Sequence, residues 1–371
     1  MTVLIPAFLV LVWMIPFVFL WRIPHPRADH NPAPGTSSPA VSIIIPARNE
    51  ERTLPRLLDS LANQQADIAE IIVVDDHSED GTARIASRYG ARVITSPELP
   101  TGWLGKPWAC WHGARSAAGD VFVFLDADTF VEPGGLQKIL SSFRRRGGLL
   151  SIWPYHRMKH LYERLSALFN IIIMASMGSF TIRGEKTRSL GAFGPCVVCS
   201  RRDYFSVGGH EQVRGAILED VALGQAFQRA GFGVHNYGGR GAIHFRMYPA
   251  GVGSLITGFT KGMASGAKAV TAEILVPIIC WVAGGFAVSF LLLYVLLSSG
   301  LQPALPWMML HVLYILQIYW ILVRMGNYGP VTALLYPIPF VFFAAVFVIS
   351  LLQTHLLHEV SWKGRKIDIQ R

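Results

Sequence analysis

The chain has 371 residues, roughly two to three units at about 150 residues each, and 51% of it is apolar against 15% charged. Soluble proteins carry about 25% charged residues; that shortfall and a mean hydropathy of +0.38 exclude a disordered, collagenous or wholly water-borne chain. The net charge of +9, from 33 basic and 24 acidic side chains, reads in such a chain as contact with anionic lipid on the cytoplasmic face rather than with nucleic acid.

Residues Met1 to Trp21 hold no charged side chain, about the 20 residues a helix needs to cross the hydrocarbon. Arg22 and Arg27 follow. A secretory signal carries its positive charges ahead of the apolar run and a cleavage site behind it. This segment has neither, so 1–21 is expected to be a retained anchor whose C-terminal side faces the cytoplasm. His30 to Ala40 (HNPAPGTSSPA) is rich in Pro, Ser and Gly, and 22–40 reads as a linker.

From Val41 strand and helix patterns alternate, which predicts a parallel sheet in a domain over 41–241. VSIIIP (41–46), EIIVVDD (70–76), ARVIT (91–95) and DVFVFLDAD (120–128) are the strands; Glu51 to Leu61, Asp80 to Tyr89 and Lys106 to Ala118 are the helices. Ligands of open sheets bind at the carboxyl ends of the strands. Here those ends carry Arg48, Asn49 and Glu50, then Asp75 and Asp76, then Asp126 and Asp128. Any one of these suits a turn, but three polar strand ends on one sheet edge suit a site.

Tyr162 to Thr181 is apolar for the length of a span, yet a crossing there puts the carboxylates before and after it on opposite sides of a membrane. It is expected to lie in or on the interface, a buried core helix being the alternative. A second interfacial amphipathic segment is expected over 242–274. From Leu275 to His358 the only charge is Arg324, so 275–358 is expected to be embedded, with spans near 275–298, 305–323 and 331–353. Three spans put the basic tail 359–371, with Lys363, Arg365, Lys366 and Arg371, outside and against the positive-inside tendency. Either one segment re-enters or the tail breaks the tendency; a cytoplasmic tail is the reading adopted.

Asp126-Ala127-Asp128 is the most specific feature. The two carboxylates follow a purely apolar strand and need a cleft to be solvated. Carboxylate and water oxygens with substrate phosphates are the usual ligands of Mg²⁺ or Mn²⁺, so a nucleoside diphosphate bridged by a divalent ion fits. No P-loop or G-x-G-x-x-G motif is present, which argues against NTPases and dinucleotide enzymes. Cys196 and Cys199 lack a second ligand pair and read as buried packing, not zinc. His77, His210 and His244 read as solvated or packed.

IIIPARNE (43–50), VVDDHSEDGT (73–82), FLDADT (124–129) and LEDVALG (218–224) resemble the nucleotide, D-x-D and E-D motifs of family 2 glycosyltransferases with the GT-A fold. GWLGKPWAC (102–110), LLSIWPYH (149–156), AFGPCVV (192–198), FRMYPAG (245–251) and WKGR (362–365) are similar to motifs of the carotenoid-acid glycosyltransferases of staphyloxanthin-type pathways, which act on 4,4'-diaponeurosporenoate. The resemblance covers nearly the whole chain. It implies an α/β GT-A (Rossmann-like) catalytic domain plus α-helical transmembrane segments, in a multi-pass cell-membrane protein with its catalytic domain facing the cytoplasm. It implies that Pro46, Ala47, Arg48 and Glu50 line the uracil and ribose pocket with Asp76, that Lys106 lies near the pyrophosphate, that Asp126 faces the sugar or ribose and Asp128 the metal, and that Asp220 is the general base. The Q-x-x-R-W of many family 2 synthases is absent and FRMYP stands in its place, making Arg246 with Lys106 the candidate cations at the departing phosphate. The expected activity is inverting transfer of a hexose, glucose favoured, from a UDP-sugar to a membrane lipid, a carotenoid carboxylic acid favoured over a hopanoid or other glycolipid acceptor. A processive polysaccharide synthase and a non-catalytic scaffold fit less well.

Overall fold

A computed structural model describes residues 4–28, 39–184, 187–353, 359–362 and 365–368. The expected linker falls for the most part outside these residues, as do Lys363 and Arg371 of the tail. Packing divides the chain into two compact units, one of Pro24–Tyr155 with Ser189–Arg246, the other of Met1–Ile23, His156–Arg188 and Met247–Arg371. The stretch 156–188 thus groups with the apolar helices rather than with the sheet.

The first unit is built on strands β1 (Val41–Ala47), β2 (Ile68–Asp75), β3 (Arg92–Thr95), β4 (Val121–Leu125), β5 (Thr129–Val131), β6 (Leu149–Trp153), β7 (Tyr155–His156), β8 (Cys196–Ser200), β9 (Val234–Gly238) and β10 (Ile243–Phe245). The main sheet has the order β3-β2-β1-β4-β8-β6-β9. Strands β1 to β4 are mutually parallel, as the alternation predicts. The sheet as a whole is mixed, which corrects the expectation: β8 runs antiparallel to both β4 and β6. A local helix-strand rhythm carries no information about a strand that arrives some seventy residues later between two others.

Both faces of the sheet are covered, so its strands are apolar on both sides. Ile43, Ile45, Val123 and Leu125 enter one core layer with Leu57, Leu61 and Ile139, while Ile44, Phe122 and Phe124 enter the other with Ala114, Leu223 and Phe227. Cys196 belongs to the first layer and Cys199 to the second, since an odd spacing on a strand reverses the face. They cannot share a metal, and burial pushes both thiols well up.

In the second unit, helices Ala272–Ser299 and Leu301–Met325 are long and apolar enough to cross a membrane; Ile5–Phe19 and Pro337–Leu352 are apolar but shorter. Phe290, Leu297, Met309 and Leu316 stand exposed on the long pair, a surface that suits lipid rather than water. The chain is accordingly membrane-associated. Two expectations change here. Segment 331–353 is not one helix but two, Gly329–Leu334 and Pro337–Leu352, because proline starts a helix more readily than it continues one. The stretch after Tyr162 forms helix Ala167–Ser176, in which Leu168, Phe169, Ile171 and Met174 are buried, so it is a core helix of this unit rather than a surface one.

Candidate active site

The loops that leave β1 and β2 are fastened to each other. Asp76, buried just past β2, donates its N–H to the Ala47 carbonyl at 2.9 Å and accepts the Ser96 hydroxyl at 3.1 Å. The Arg48 guanidinium donates to the Asp76 carbonyl at 2.8 Å and lies 3.7 Å from its carboxylate. Glu50 donates its N–H to Thr82 Oγ1 at 2.8 Å, and its carboxylate accepts the Thr53 hydroxyl. Asn49 and His77 adopt φ of 55°, the left-handed region that non-glycine residues rarely enter; Asn49 Oδ1 takes the Glu79 N–H at 2.9 Å, which holds that turn. Pro46, Ala47, Arg48, Glu50 and Asp76 therefore form one wall at the carboxyl ends of β1 and β2.

A second group lies across the edge at the end of β4. Lys106, in the first turn of helix Gly105–Ser116, points its ammonium at Asp126 Oδ1 (2.9 Å), Asp220 Oδ2 (3.2 Å) and Glu219 Oε1 (3.4 Å). A helix N-terminus disfavours a cation, so this lysine is held by the carboxylates and not by its own helix. Glu219 and Asp220 open helix Glu219–Arg229, where the dipole favours acids. Even with Glu219 holding a proton, Asp126 and Asp220 outnumber the single Lys106 cation and leave the group acidic. Burial works against the charged Lys106, yet Asp126, Asp220 and Glu219 outweigh it and hold the ammonium well above its usual value. Burial first, then Asp220, raises Glu219 out of the ordinary carboxylate range, against the pull of Lys106.

Close backbone packing sets these positions. Asp126 donates its N–H to the Pro195 carbonyl at 3.0 Å. A Cβ on neighbouring Gly194 would lie 1.9 Å from Asp220 Oδ2 and 3.0 Å from Lys106 Nζ, and a Cβ on Gly224 would lie 2.5 Å from the Ala192 nitrogen. Only glycines let helix Glu219–Arg229 approach segment 191–195 this closely. Asp128 is exposed just before β5. Strand β10 pairs antiparallel with β5, Phe245 opposite Thr129; Arg246 follows the one and Asp128 precedes the other.

Of the residues the sequence points to, the structure thus joins Lys106, Asp126 and Asp220 directly, and groups Pro46, Ala47, Arg48, Glu50 and Asp76 around one loop pair. Glu219 and Gly194 were not singled out. Glu219 stands inside the E-D motif and Gly194 inside AFGPCVV (192–198), but that helix Glu219–Arg229 presses on Gly194 is not a local property. His210 is packed: buried, its Nδ1 is 2.8 Å from the Tyr204 hydroxyl, and burial lowers it to about 4. His244 stacks on Phe130 and meets Glu132 at 3.2 Å.

Residues 42–208 match the model of glycosyl transferase family 2. A 4,4'-diaponeurosporenoate glycosyltransferase of Staphylococcus aureus (strain USA300) is 35% identical over 336 residues, 90% of this chain and 89% of the relative. The enzyme of the same name from strain MRSA252 is 34% identical over the same share of each chain. Among solved structures, the mannosyltransferase PcManGT from Pyrobaculum calidifontis in complex with GDP-Man and Mn2+ superposes with a TM-score of 0.55 at 16% identity, covering 95% of this chain and 99% of that one. That likeness is one of fold.

Proposed function

The chain belongs to glycosyl transferase family 2 and is a glycosyltransferase, and on that premise we propose that it moves a hexose, glucose favoured, with inversion from a UDP-sugar to a lipid carboxylic acid of the carotenoid type, forming a glycosyl ester. The observation that carries the reading is the meeting of Asp126, Glu219 and Asp220 on Lys106, which brings the D-x-D and E-D elements to one sheet edge beside the Arg48–Asp76 wall. The name of the staphylococcal relatives supports a carotenoid acid as acceptor.

The wall formed by Pro46, Ala47, Arg48, Glu50 and Asp76 takes the uridine. Asp126 orients the sugar or ribose, and Asp220 faces the acceptor as general base. As the bond from the anomeric carbon to the diphosphate lengthens, negative charge builds on the departing oxygen. Lys106 and Arg246 offset that charge.

An anionic donor cannot approach so acidic a group without added positive charge. Among the described residues no cluster of three or more His, Cys, Asp or Glu side chains is placed to enclose an ion. The chain therefore offers Asp128 with Asp126, and leaves the other positions to diphosphate and water, the donor set that suits Mg²⁺ or Mn²⁺. Bound there, the ion would neutralise charge on the diphosphate. The catalytic unit is assigned to the cytoplasmic side, where UDP-sugars are available.

An ionised carboxylate acceptor is already a nucleophile, whereas an alcohol needs its proton removed, which is worth about 10² to 10⁴ in rate. Asp220→Asn should therefore slow transfer to a carotenoid carboxylate less than transfer to a matched alcohol, while Asp128→Asn should slow both alike. Initial rates from labelled UDP-glucose, with the products identified by mass spectrometry, decide it. Label entering only hopanoid or other hydroxyl lipids would overturn the acceptor assignment, and equal losses on both acceptors in Asp220→Asn would remove the base role.

A further inference from the structure

The apolar segment 329–352 is broken at Leu335 and Tyr336, and its partners tell how far each part reaches along the helical unit. Helices Ala272–Ser299 and Leu301–Met325 are joined through Gly300, with φ 87°, and run antiparallel. Residues 4–21 run beside the second: Trp13 Nε1 donates to the Leu313 carbonyl at 3.0 Å, and Arg324 Nη1 donates to the Trp21 carbonyl at 3.3 Å. Arg324 and Trp21 thus mark one end of the bundle. Gly284, whose Cβ would meet Val12 and the Tyr314 hydroxyl, marks the middle. Tyr314 stands ten residues before Arg324, about 15 Å by helical rise, which is half of a roughly 30 Å hydrocarbon core.

Segment 329–352 starts at the Arg324 end. There Asn170 Nδ2 donates to the Tyr328 hydroxyl at 2.8 Å. Eight residues on, the Tyr336 hydroxyl is at mid-bundle, donating to the Gly285 carbonyl at 3.2 Å, 2.8 Å from Ser289 Oγ and 3.1 Å from His311 Nδ1. Then the chain comes back. The Phe340 ring lies 5.5 Å from Trp281, the Phe343 ring 4.9 Å from Phe169, and Ser350 Oγ donates to the Thr260 carbonyl at 2.8 Å. Phe169 adjoins Asn170, so the segment leaves and returns at neighbouring residues of one helix.

We propose that 329–352 is a re-entrant hairpin that enters the lipid from the side where helix Leu301–Met325 ends, turns near mid-bilayer at Leu335–Pro337 and goes back to that side, its returning arm outrunning the roughly 15 Å of one leaflet and ending in the interface. Helix Pro337–Leu352, with 16 residues, is about 24 Å long, short of a crossing. Irregular backbone at membrane depth is tolerated only where protein covers it, and Tyr336 at the tip is fully buried with its N–H given to the Ala333 carbonyl. The outward stripe Ile338, Val341, Val348 and Leu352, each more than half exposed, is what the acyl chains of that leaflet contact. The Leu352 end of the segment then lies on the side of Trp21 and Arg22.

The test uses the full chain in its membrane. Single cysteines replace Gln65 in the sheet unit, Ser299 between the two long helices, and Gln353; each is exposed to an impermeant maleimide in right-side-out and inside-out vesicles, with the unaltered chain as blank. Gln65→Cys and Gln353→Cys are expected to label in inside-out vesicles, and Ser299→Cys in right-side-out ones. Labelling of Gln353→Cys together with Ser299→Cys, or of all three in one preparation, would overturn the hairpin. If Gln353→Cys labels in neither, two C-terminal fusions decide: fluorescence from a reporter that folds only in the cytoplasm supports it, and activity of a phosphatase that folds only outside overturns it.

Discussion

Lys106 and Arg324 are both long basic side chains set among apolar neighbours, and the two units treat them in opposite ways. Lys106 meets three carboxylates within 3.4 Å. Among the described residues Arg324 meets none: its guanidinium lies 3.6 Å over the Trp320 ring and donates to the carbonyls of Trp320 and Trp21. The helical unit spreads its other polar groups over neutral hydrogen bonds in the same manner, Trp281 Nε1 donating to Gln317 Oε1 at 2.9 Å. A cleft that opens to water can concentrate charge and use it on a substrate. A surface that faces lipid cannot, since an unpaired ion there has no solvent to fall back on.

Removing the two cations separates these cases most strongly. Lys106→Met leaves the partly buried Asp126 and Asp220 carboxylates without a countercharge; breaking such a pair costs about 3 kcal/mol or more, and loss of the cation should lower turnover by about 10² to 10³. Arg324→Met strands no acid, and gives up a cation–π contact worth about 1 kcal/mol and two bonds to carbonyls. Urea unfolding and initial rates on both variants measure the gap. Equal destabilisation would erase the contrast between the units.

Gly194→Ala probes the same cluster without changing its charge. The new methyl must displace the Asp220 carboxylate, and a shift of about 1 Å at a reacting group costs about 100-fold. Turnover should fall by that order while UDP binding, followed by titration calorimetry, stays near normal. Undiminished turnover would show that Asp220 works from another position.

The smallest effect is in the pH dependence of the sheet unit. Glu219 is raised by burial and by Asp220, so in the folded state it keeps a proton that the unfolded chain has lost. Its contribution to stability is complete below the ordinary glutamate range and declines as pH rises through that range toward the raised value. Glu219→Gln should flatten this decline in melting temperature measured at stepped pH. An unchanged slope would mean that another group titrates there.

Much of the candidate site's edge is legible in the sequence. Strands β1 to β4 announce themselves as short apolar runs, and the polar residues that end them, Arg48 and Glu50, Asp76, Asp126 and Asp128, follow because a parallel sheet collects such ends on one edge. The extent of helices Ala272–Ser299 and Leu301–Met325 was similarly plain, since a charge-free stretch of sufficient length is a local property. What the sequence could not show are the meetings between distant residues. Lys106 and Asp220 are 114 positions apart, β8 enters between β4 and β6 from beyond an intervening helical excursion, and Gly194 is required only because another helix presses on it. Segment 329–352 has the composition of a span, and the contacts of Tyr328, Tyr336 and Phe343 on which the proposed hairpin rests join residues far apart in the chain. The physical reason is common to all of these. Periodicity and hydropathy record what each residue needs from its surroundings, water or apolar cover, whereas the partner that meets the need is chosen by packing, and closing a long loop costs little more than closing a shorter one.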